Sequence, residues 1–599
     1  MTNTDSFFQN RGKHEIASTP EGHDAYLIGG AVARGAAKTL LHICRDDGRM
    51  ARTLQALQFF YPGIEVITFP AWDCLPYDRV SPNAEITSRR IDALTKLIEA
   101  RAAPRIVLTT MNAALQRVPP RKAFEDRVLR LAVRGSMPVE RLISFLGRNG
   151  YSRADTVREP GEYAVRGGIV DLYPSGSAAP LRLDFFGDEI ENIRTFDALS
   201  QRTTGPAEAL VIKPVSEVLL DDNSISRFRS RYREQFGTAV NDDPLYEAVS
   251  AGHRYIGVEH WLPLFYESLE TIFDYLPGAA VSLDHQSDGV RGDRLESISD
   301  FYAARRDTGA VKGAVVYRPV EPKQLFLDAK EWGQILNTRA VVQLSPFGSG
   351  DTADGGAGDG KAGPGMDFSA ARADPARNLF DIVQSQLKDE IAAGKRVLIA
   401  AYSAGSGERL GTLLKEHGAG ETLSVPCWED FRRLPGTALG LAVLAIERGF
   451  RFADTVLVTE QDMLGDRLSR PPRRRANYDQ FVAEVATLQP GDLVVHAEHG
   501  IGRYDGLVAL DVAGAPHDCL RVIYAGDDKL FVPVENIEVL TRYGTEDANV
   551  ALDKLGAMSW QSRKSRVKKR IKDIADELIA VAAQRQLKEG EPMAPTEGA

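Results

Sequence analysis

Residues 488–544 read LQPGDLVVHAEHGIGRYDGLVALDVAGAPHDCLRVIYAGDDKLFVPVENIEVLTRYG, and the pattern is that of a small all-β module. Pro490-Gly491 opens the stretch. Strand-forming runs follow at Leu493–His496, Gly502–Leu510, Cys519–Tyr524 and Lys529–Val534, separated by turn chemistry at Ala513-Gly514 and Gly526-Asp527-Asp528. Leu520, Val522 and Tyr524 fall on one side of their strand and Cys519, Arg521 and Ile523 on the other; Leu530, Val532 and Val534 repeat the pattern, so one face is core. Asp505-Gly506 in mid-strand predicts a bulge, which twists a strand and frees an edge for a strand from another chain. Small barrels carry many functions, so this pattern alone assigns none.

Around the module lies a chain of 599 residues, several domains long and, at 43% hydrophobic residues, rich enough to bury real cores. A formal net charge of −10 argues against a surface coated for duplex DNA and favours protein partners, with DNA contact left open as local and indirect. Cys44, Cys74, Cys427 and Cys519 form no C-x-x-C pair, so neither a disulfide framework nor a thiolate zinc site is expected. His496-Ala497-Glu498 has the H-x-E form of a zinc deaminase, but no P-C-x-x-C follows and Cys519 stands alone, so no metal is expected. The N-terminus has no apolar leader core, and no run approaches the ~18 apolar residues of a membrane span, which points to a cytoplasmic protein.

Residues 24–115 alternate in type. AYLIGG and IEVITFP read as strands, ARGAAKTLLHIC and ITSRRIDALTKLIEA as helices, and RIVLTT as a strand, which together make an α/β domain. After AYLIGG, Gly30 and Gly35 have the G-x-x-x-x-G skeleton of a phosphate loop, but Ala36 and Ala37 stand where Lys and Ser/Thr belong. Lys38 and Thr39 arrive two positions late, a rotation of ~200° on a helix, so they cannot substitute. The expectation is a degenerate loop with no bound cofactor and no ATP hydrolysis; an ordinary Gly-rich turn would behave the same way. Trp72 and Tyr77 in FPAWDCLPYDRVSP are candidates either for stacking on bases or for packing a proline-rich loop.

The stretch REPGEYAVRGGIVDLYPSGSAAPLRLDFFGDEIENIRTFDALSQRT, residues 158–203, reads as antiparallel β: AVRGGIVDLYP, PLRLDFFG and EIENIRTFD, with turns at Ser175-Gly176 and Gly187-Asp188. Further on, Trp261, Phe265, Tyr266, Phe273 and Tyr275 fall at core spacing. SPFGSGDTADGGAGDGKAGPG, with almost nothing apolar, reads as a flexible linker. A second small α/β pattern follows, whose Gly-Ser turn at 404–407 lacks a phosphate-loop Lys. Pro471-Pro472-Arg473-Arg474-Arg475 is either a nucleic-acid contact or a solvated connector. Residues 559–588 read as one amphipathic helix, with Val567, Ile571, Ile574, Leu578 and Val581 on a stripe and a basic first half.

HGIGRYDGL followed by YAGDDKLFVPVENIEVLTRYG resembles the RNA-polymerase-interacting domain shared by bacterial transcription-repair coupling factors and CarD-type regulators. The chain as a whole resembles the front part of the coupling factors. That implies a multidomain α/β plus β fold: a degenerate RecA-like α/β domain (1–129 and 212–345) interrupted by a β domain like domain 2 of the excision-repair protein UvrB (130–211). A flexible linker (346–365), a small α/β domain (366–470), a connector (471–487), an SH3/Tudor-like CarD-type β-barrel (488–544), a C-terminal amphipathic relay-type helix (555–588) and a disordered tail (589–599) would follow.

The resemblance also implies partners. The barrel would grip the β subunit of RNA polymerase by strand addition, with the family's exposed apolar contact falling on Leu510; the residues alone leave a core leucine open. The inserted domain would dock on excinuclease subunit UvrA through Arg166, Arg182 and Phe186, two guanidinium forks suited to bidentate pairing with acids and one aromatic anchor. Without the resemblance, a solvated sheet face with Phe186 in the core is the alternative. The family continues into ATP- and Mg²⁺-dependent motor domains whose phosphate-loop Lys and acid do not stand in this sequence. The expected function is therefore an adaptor for transcription-coupled nucleotide-excision repair, with no catalysis and no cofactor of its own. The alternatives are the front half of a split ATP-dependent translocase and a CarD-like transcription regulator.

Overall fold

The computed structural model describes residues 3–99, 103–237, 243–307, 317–348, 357–373, 378–465, 491–496, 499–512, 515–533, 540–542 and 552–554. The connector 471–487 with its PPRRR run, the expected helix 555–588 and the expected tail 589–599 lie outside them. The chain divides into two units, residues 1–468 and 469–599.

The first unit begins with four parallel strands, β1 (Gly12–Ala17), β2 (Thr39–Cys44), β3 (Glu65–Phe69) and β4 (Arg105–Thr110). Helix α1 (His23–Ala33) joins β1 to β2, and α2 (Asp47–Phe60) joins β2 to β3. Two expectations are corrected here. AYLIGG is not a strand but the middle of α1, and TLLHIC is not helical but β2. A helix buried on nearly every side presents a continuous apolar run, which periodicity cannot tell from a buried strand. The glycines of AYLIGG serve helix packing: a Cβ on Gly29 would stand 2.3 Å from the Tyr61 ring, and one on Gly30 2.8 Å from the Tyr61 hydroxyl.

The chain then leaves this sheet. β5 (Leu129–Ala132) and β12 (Ala209–Ile212) pair antiparallel as a stem. Between them lie β6 (Ser152–Arg153), β7 (Glu162–Arg166), β8 (Ile169–Leu172), β9 (Leu181–Phe186), β10 (Glu189–Phe196) and β11 (Thr203–Ala207), side by side in one sheet in sequence order. AVRGGIVDLYP, expected as a single strand, is the hairpin β7–β8 folded at Gly167-Gly168. One face of this sheet is core: Val170, Leu172, Leu183, Ile190 and Ile193 pack with Leu142 and Leu146 of the helix Val139–Arg148.

On its return the chain inserts β13 (Ala280–Leu283) and β14 (Ala340–Leu344) between β1 and β2, and β15 (Ala357–Asp359) adds outside β1. The order is β15-β1-β14-β13-β2-β4-β3, parallel throughout. The near-continuous apolar runs of these strands suit a sheet covered on both faces. The aromatic group expected as core is core: Trp261, Phe265, Tyr266, Phe273 and Tyr275 are all buried.

The third domain contains β16 (Ala362–Pro364), β17 (Arg396–Ala401), β18 (Thr422–Ser424), β19 (Leu439–Val443), β20 (Phe450–Phe452) and β21 (Thr455–Thr459), ordered β16-β20-β21-β17-β19-β18. Its Phe450, Phe452 and Trp428 join Tyr26 and Phe60 in one cluster, so it shares a core with the first domain. The flexible-linker expectation needs correction for 357–365, because β15 pairs with the first sheet and β16 with the third domain. Glycine is used there because backbones and rings approach closely. A Cβ on Gly358 would meet the Phe7 ring at 2.4 Å, and one on Gly365 the carbonyl oxygen of Gly449 at 2.4 Å.

The second unit is an antiparallel sheet of β22 (Leu493–His496), β23 (Gly500–Val512), β24 (Ala515–Ile523), β25 (Lys529–Pro533) and β26 (Leu540–Arg542), ordered β25-β24-β23-β22-β26. Leu520, Val522, Tyr524 and Val532 are buried, as their alternation requires. The register slips between Tyr504 and Gly506, where the bulge was expected, and Gly506 has φ +114°. Among the described residues β25 and β26 are the two edges.

The contacts at the end of the Gly-rich stretch predict that Gly365→Ala, which drives a methyl into backbone, lowers stability by about 1–3 kcal/mol. Gly363→Ala, with nothing within 4 Å of its Cβ position, should stay within about 0.5 kcal/mol of the parent. Denaturant unfolding of the two variants checks the pair.

Candidate protein-docking site

The face of the inserted sheet opposite its core carries the residues singled out from the sequence. Register sets Arg166 opposite Ile169, Ile169 opposite Asp184, and Asp171 opposite Arg182, so side chains on β7, β8 and β9 share one face. Phe186 ends β9 on the same face and is 82% exposed. The alternative of a core Phe186 is thereby removed. At the other end of this face Val157, Ala164 and Phe196 form a small buried cluster, so only the hairpin end is open.

Two tight turns define that open end. Gly167-Gly168 joins β7 to β8 and Gly187-Asp188 joins β9 to β10; the first residue of each has positive φ, +60° and +61°. Two-residue hairpins demand such a residue at low cost, and glycine supplies it. The second turn is braced from outside: Met137 donates its N–H to the Asp188 carbonyl at 2.7 Å, and Arg134 donates to Ile190 at 2.8 Å. Phe186 is therefore held out by backbone geometry.

Arg182 corrects one expectation. Its Nε and Nη2 donate to the two carboxylate oxygens of buried Asp171 at 2.7 and 2.9 Å, and its guanidinium lies 5.0 Å from the centre of the Phe196 ring. Its fork is already paired inside the domain. The Asp171 hydrogen bond holds the guanidinium pKa above its ordinary value. Arg166 is exposed and donates Nη2 to the carbonyl of Asp155. Asp171, which sequence reading passed over, was signalled only by its alternation with Val170 and Leu172. Arg194 pairs with Asp184 farther along the face.

The domain is fixed to its host through the helix Ala84–Ile98. Lys213 Nζ sits 2.7 Å from Asp92, Gly176 N–H donates to Ser88 Oγ at 2.8 Å, and buried Arg90 pairs with buried Glu217. Trp72, a base-stacking candidate, instead donates Nε1 to Glu217 at 3.2 Å, and Tyr77 is fully buried.

Gly30 lies inside α1 and Gly35, Ala36 and Ala37 follow its end, so none is in a strand-to-helix turn. That turn is Ser18–Gly22, between β1 and α1, which puts His23 and Asp24 where a phosphate loop has Lys and Ser/Thr. There the Asp24 carboxylate accepts the N–H of Gly22 at 2.9 Å and of Ala25 at 2.7 Å, donors that a phosphate loop turns to its ligand. Its other oxygen pairs with Arg49, which is 1% exposed and also lies 3.5 Å from Asp284. Burial pushes the His23 imidazole down to about 4, so it carries no charge near neutrality. Ile446 and Phe450 of the third domain close over Gly22, 2.6 and 3.1 Å from where a Cβ would be.

In the second unit Leu510 lies in β23, opposite His517 of β24. His496 and His499 stack with ring centres 4.6 Å apart, and among the described residues no His/Cys/Asp/Glu group is arranged to hold a metal. Among them, too, no helix is long and apolar enough to cross a membrane.

Residues 129–217 match the UvrB interaction domain, and residues 488–544 match the CarD-like/TRCF RID domain. The chain is 32% identical over 533 residues to the transcription-repair-coupling factor of Rickettsia bellii, covering 89% of this chain and 46% of that protein. Against the factor of Haemophilus influenzae it is 32% identical over 564 residues (91% and 46%), and against that of Escherichia coli K12 32% over 547 residues (88% and 45%). The chain is homologous to these factors over about nine-tenths of its length and spans about half of theirs.

The geometry at Asp24 predicts a stability effect. Asp24→Asn removes the charge that balances buried Arg49 and should cost about 3 kcal/mol, softened by Asp284. Unfolding by urea measures it, and an unchanged midpoint would contradict the assigned role.

Proposed function

We propose that this chain, homologous to one half of the transcription-repair-coupling factors, works as a two-ended adaptor in transcription-coupled nucleotide-excision repair. Its inserted domain docks UvrA, and its CarD-like sheet holds the β subunit of RNA polymerase. The observation that carries the first half is Phe186: a large aromatic, 82% exposed on a braced hairpin, beside two guanidinium groups, within the match to the UvrB interaction domain. Aromatic and arginine side chains of this kind dominate binding energy where they become buried at an interface. A preformed scaffold also keeps the ordering cost of binding small.

For the polymerase end, support comes from the match at residues 488–544 and from a bulged sheet whose edge strands can accept a further strand. Leu510 is the residue assigned to that contact. Neither role calls on nucleotide chemistry. We read the β1–α1 turn as a phosphate loop closed by its own Asp24, so that ATP and Mg²⁺ are not cofactors of this part of the protein. ATP-driven translocation on DNA is proposed for the factor as a whole, in the cytoplasm where transcription and repair meet.

Titration of the chain with purified UvrA tests the first half. Phe186→Ala should weaken binding by about 2–4 kcal/mol and Arg182→Ala by about 1–2 kcal/mol, with melting of the Phe186 variant unchanged. No binding by the unsubstituted chain at micromolar concentration would contradict the assignment. For the other end, Leu510→Arg should abolish capture of RNA polymerase while circular dichroism and the melting temperature hold. A variant that melts would place Leu510 in the core instead.

A further inference from the structure

Phe186 does not stand alone on the open end of the face. Ile169, on the neighbouring strand, is 37% exposed, large for an isoleucine within a sheet. Register sets Ile169 opposite Asp184, two residues from Phe186 along β9, so Ile169 and Phe186 are diagonal neighbours on one face. Such positions lie about 7–8 Å apart at Cα, within reach of an aromatic ring. Beside the pair, Gly167 in the β7–β8 turn has no side chain, and nothing lies within 4 Å of where its Cβ would be. Two apolar side chains therefore lie next to an unfilled turn.

Charge surrounds this pair asymmetrically. Arg166 lies directly across from Ile169, while Asp184 and Glu189 sit opposite Ile169 and Phe186 on their other sides. A partner that fits offers an apolar recess rimmed by an acid toward Arg166 and a base toward Glu189.

We infer that Ile169 and Phe186 form one composite anchor that enters a single apolar recess of UvrA, with the open Gly167 turn beside them leaving room for the partner's own chain. Ile169 is then a specificity residue of the docking face: its position at the start of β8, fixed by the Gly167-Gly168 turn, sets the width of what can be received. This rests on the reading of the face as the UvrA site.

The test is a double-mutant cycle with the full chain and purified UvrA, using Phe186→Ala, Ile169→Ala and both together. Ile169→Ala should raise Kd about tenfold. The double variant should fall short of the product of the single effects by threefold or more, because the two side chains share one recess. Ile169→Thr, which keeps β-branching and strand preference, should lose affinity comparably with its fold retained. Leu199→Ala, at an apolar residue of the same domain 48% exposed outside the strands, should leave Kd unchanged. If Phe186→Ala weakens binding while both Ile169 variants stay within twofold of the parent, the composite anchor is wrong and the docking face stands. If the two losses simply multiply, the shared recess is wrong. If Phe186→Ala also has no effect, the docking face itself is wrong, and the anchor with it.

Discussion

A buried ion pair, Arg90 with Glu217, ties the inserted domain to the sheet it interrupts. Both side chains are essentially inaccessible. Arg90 stacks 4.3 Å from the Phe69 ring centre and donates to the Pro70 carbonyl, while Glu217 also accepts from Trp72, and its carbonyl accepts from the Tyr266 hydroxyl. Two buried charges are tolerable only when paired and fully hydrogen-bonded, so the pair selects one arrangement of the strand end, the helix Ala84–Ile98 and the chain leaving the insertion. Lys213–Asp92 and Gly176–Ser88 add to the same seam. The exposed hairpin end that carries Phe186 is thus joined to a well-packed base.

The first domain is built on a parallel sheet whose turn from β1 into α1 is committed to internal contacts. Backbone N–H groups at the start of α1 are given to an internal carboxylate, the carboxylate to an internal guanidinium, and the space above Gly22 to Ile446 and Phe450. The turn is a fixed joint between domains. The same economy appears in the Gly-rich stretch before the third domain, where glycine allows Gly365 to lie against Gly449.

What sequence reading reached was whatever alternation or local turn chemistry controls. The buried sheet face of Leu520, Val522 and Tyr524, the bulge at Asp505-Gly506 and the turn at Gly187-Asp188 are set by neighbours within a few residues, and each is found where the pattern put it. The family resemblance supplied Arg166, Arg182 and Phe186, which the fold brings to one face; it did not reveal that Asp171 already holds Arg182. The misses have tertiary causes. AYLIGG looks like a strand because its helix is surrounded, and its glycines answer to Tyr61, thirty-two residues from Gly29. The stretch 357–365 looks like a linker because the atoms that require glycine there belong to Phe7, Thr19 and Gly449. No local window contains those partners.

The most direct test of a two-ended adaptor is whether both ends act at once. Equimolar chain, UvrA and RNA polymerase, passed over a sizing column with light scattering, should give one peak whose mass includes all three, and leaving out the chain should separate the other two. Binary complexes that form but exclude one another, or UvrA and polymerase that remain apart in the presence of the chain, would contradict the adaptor.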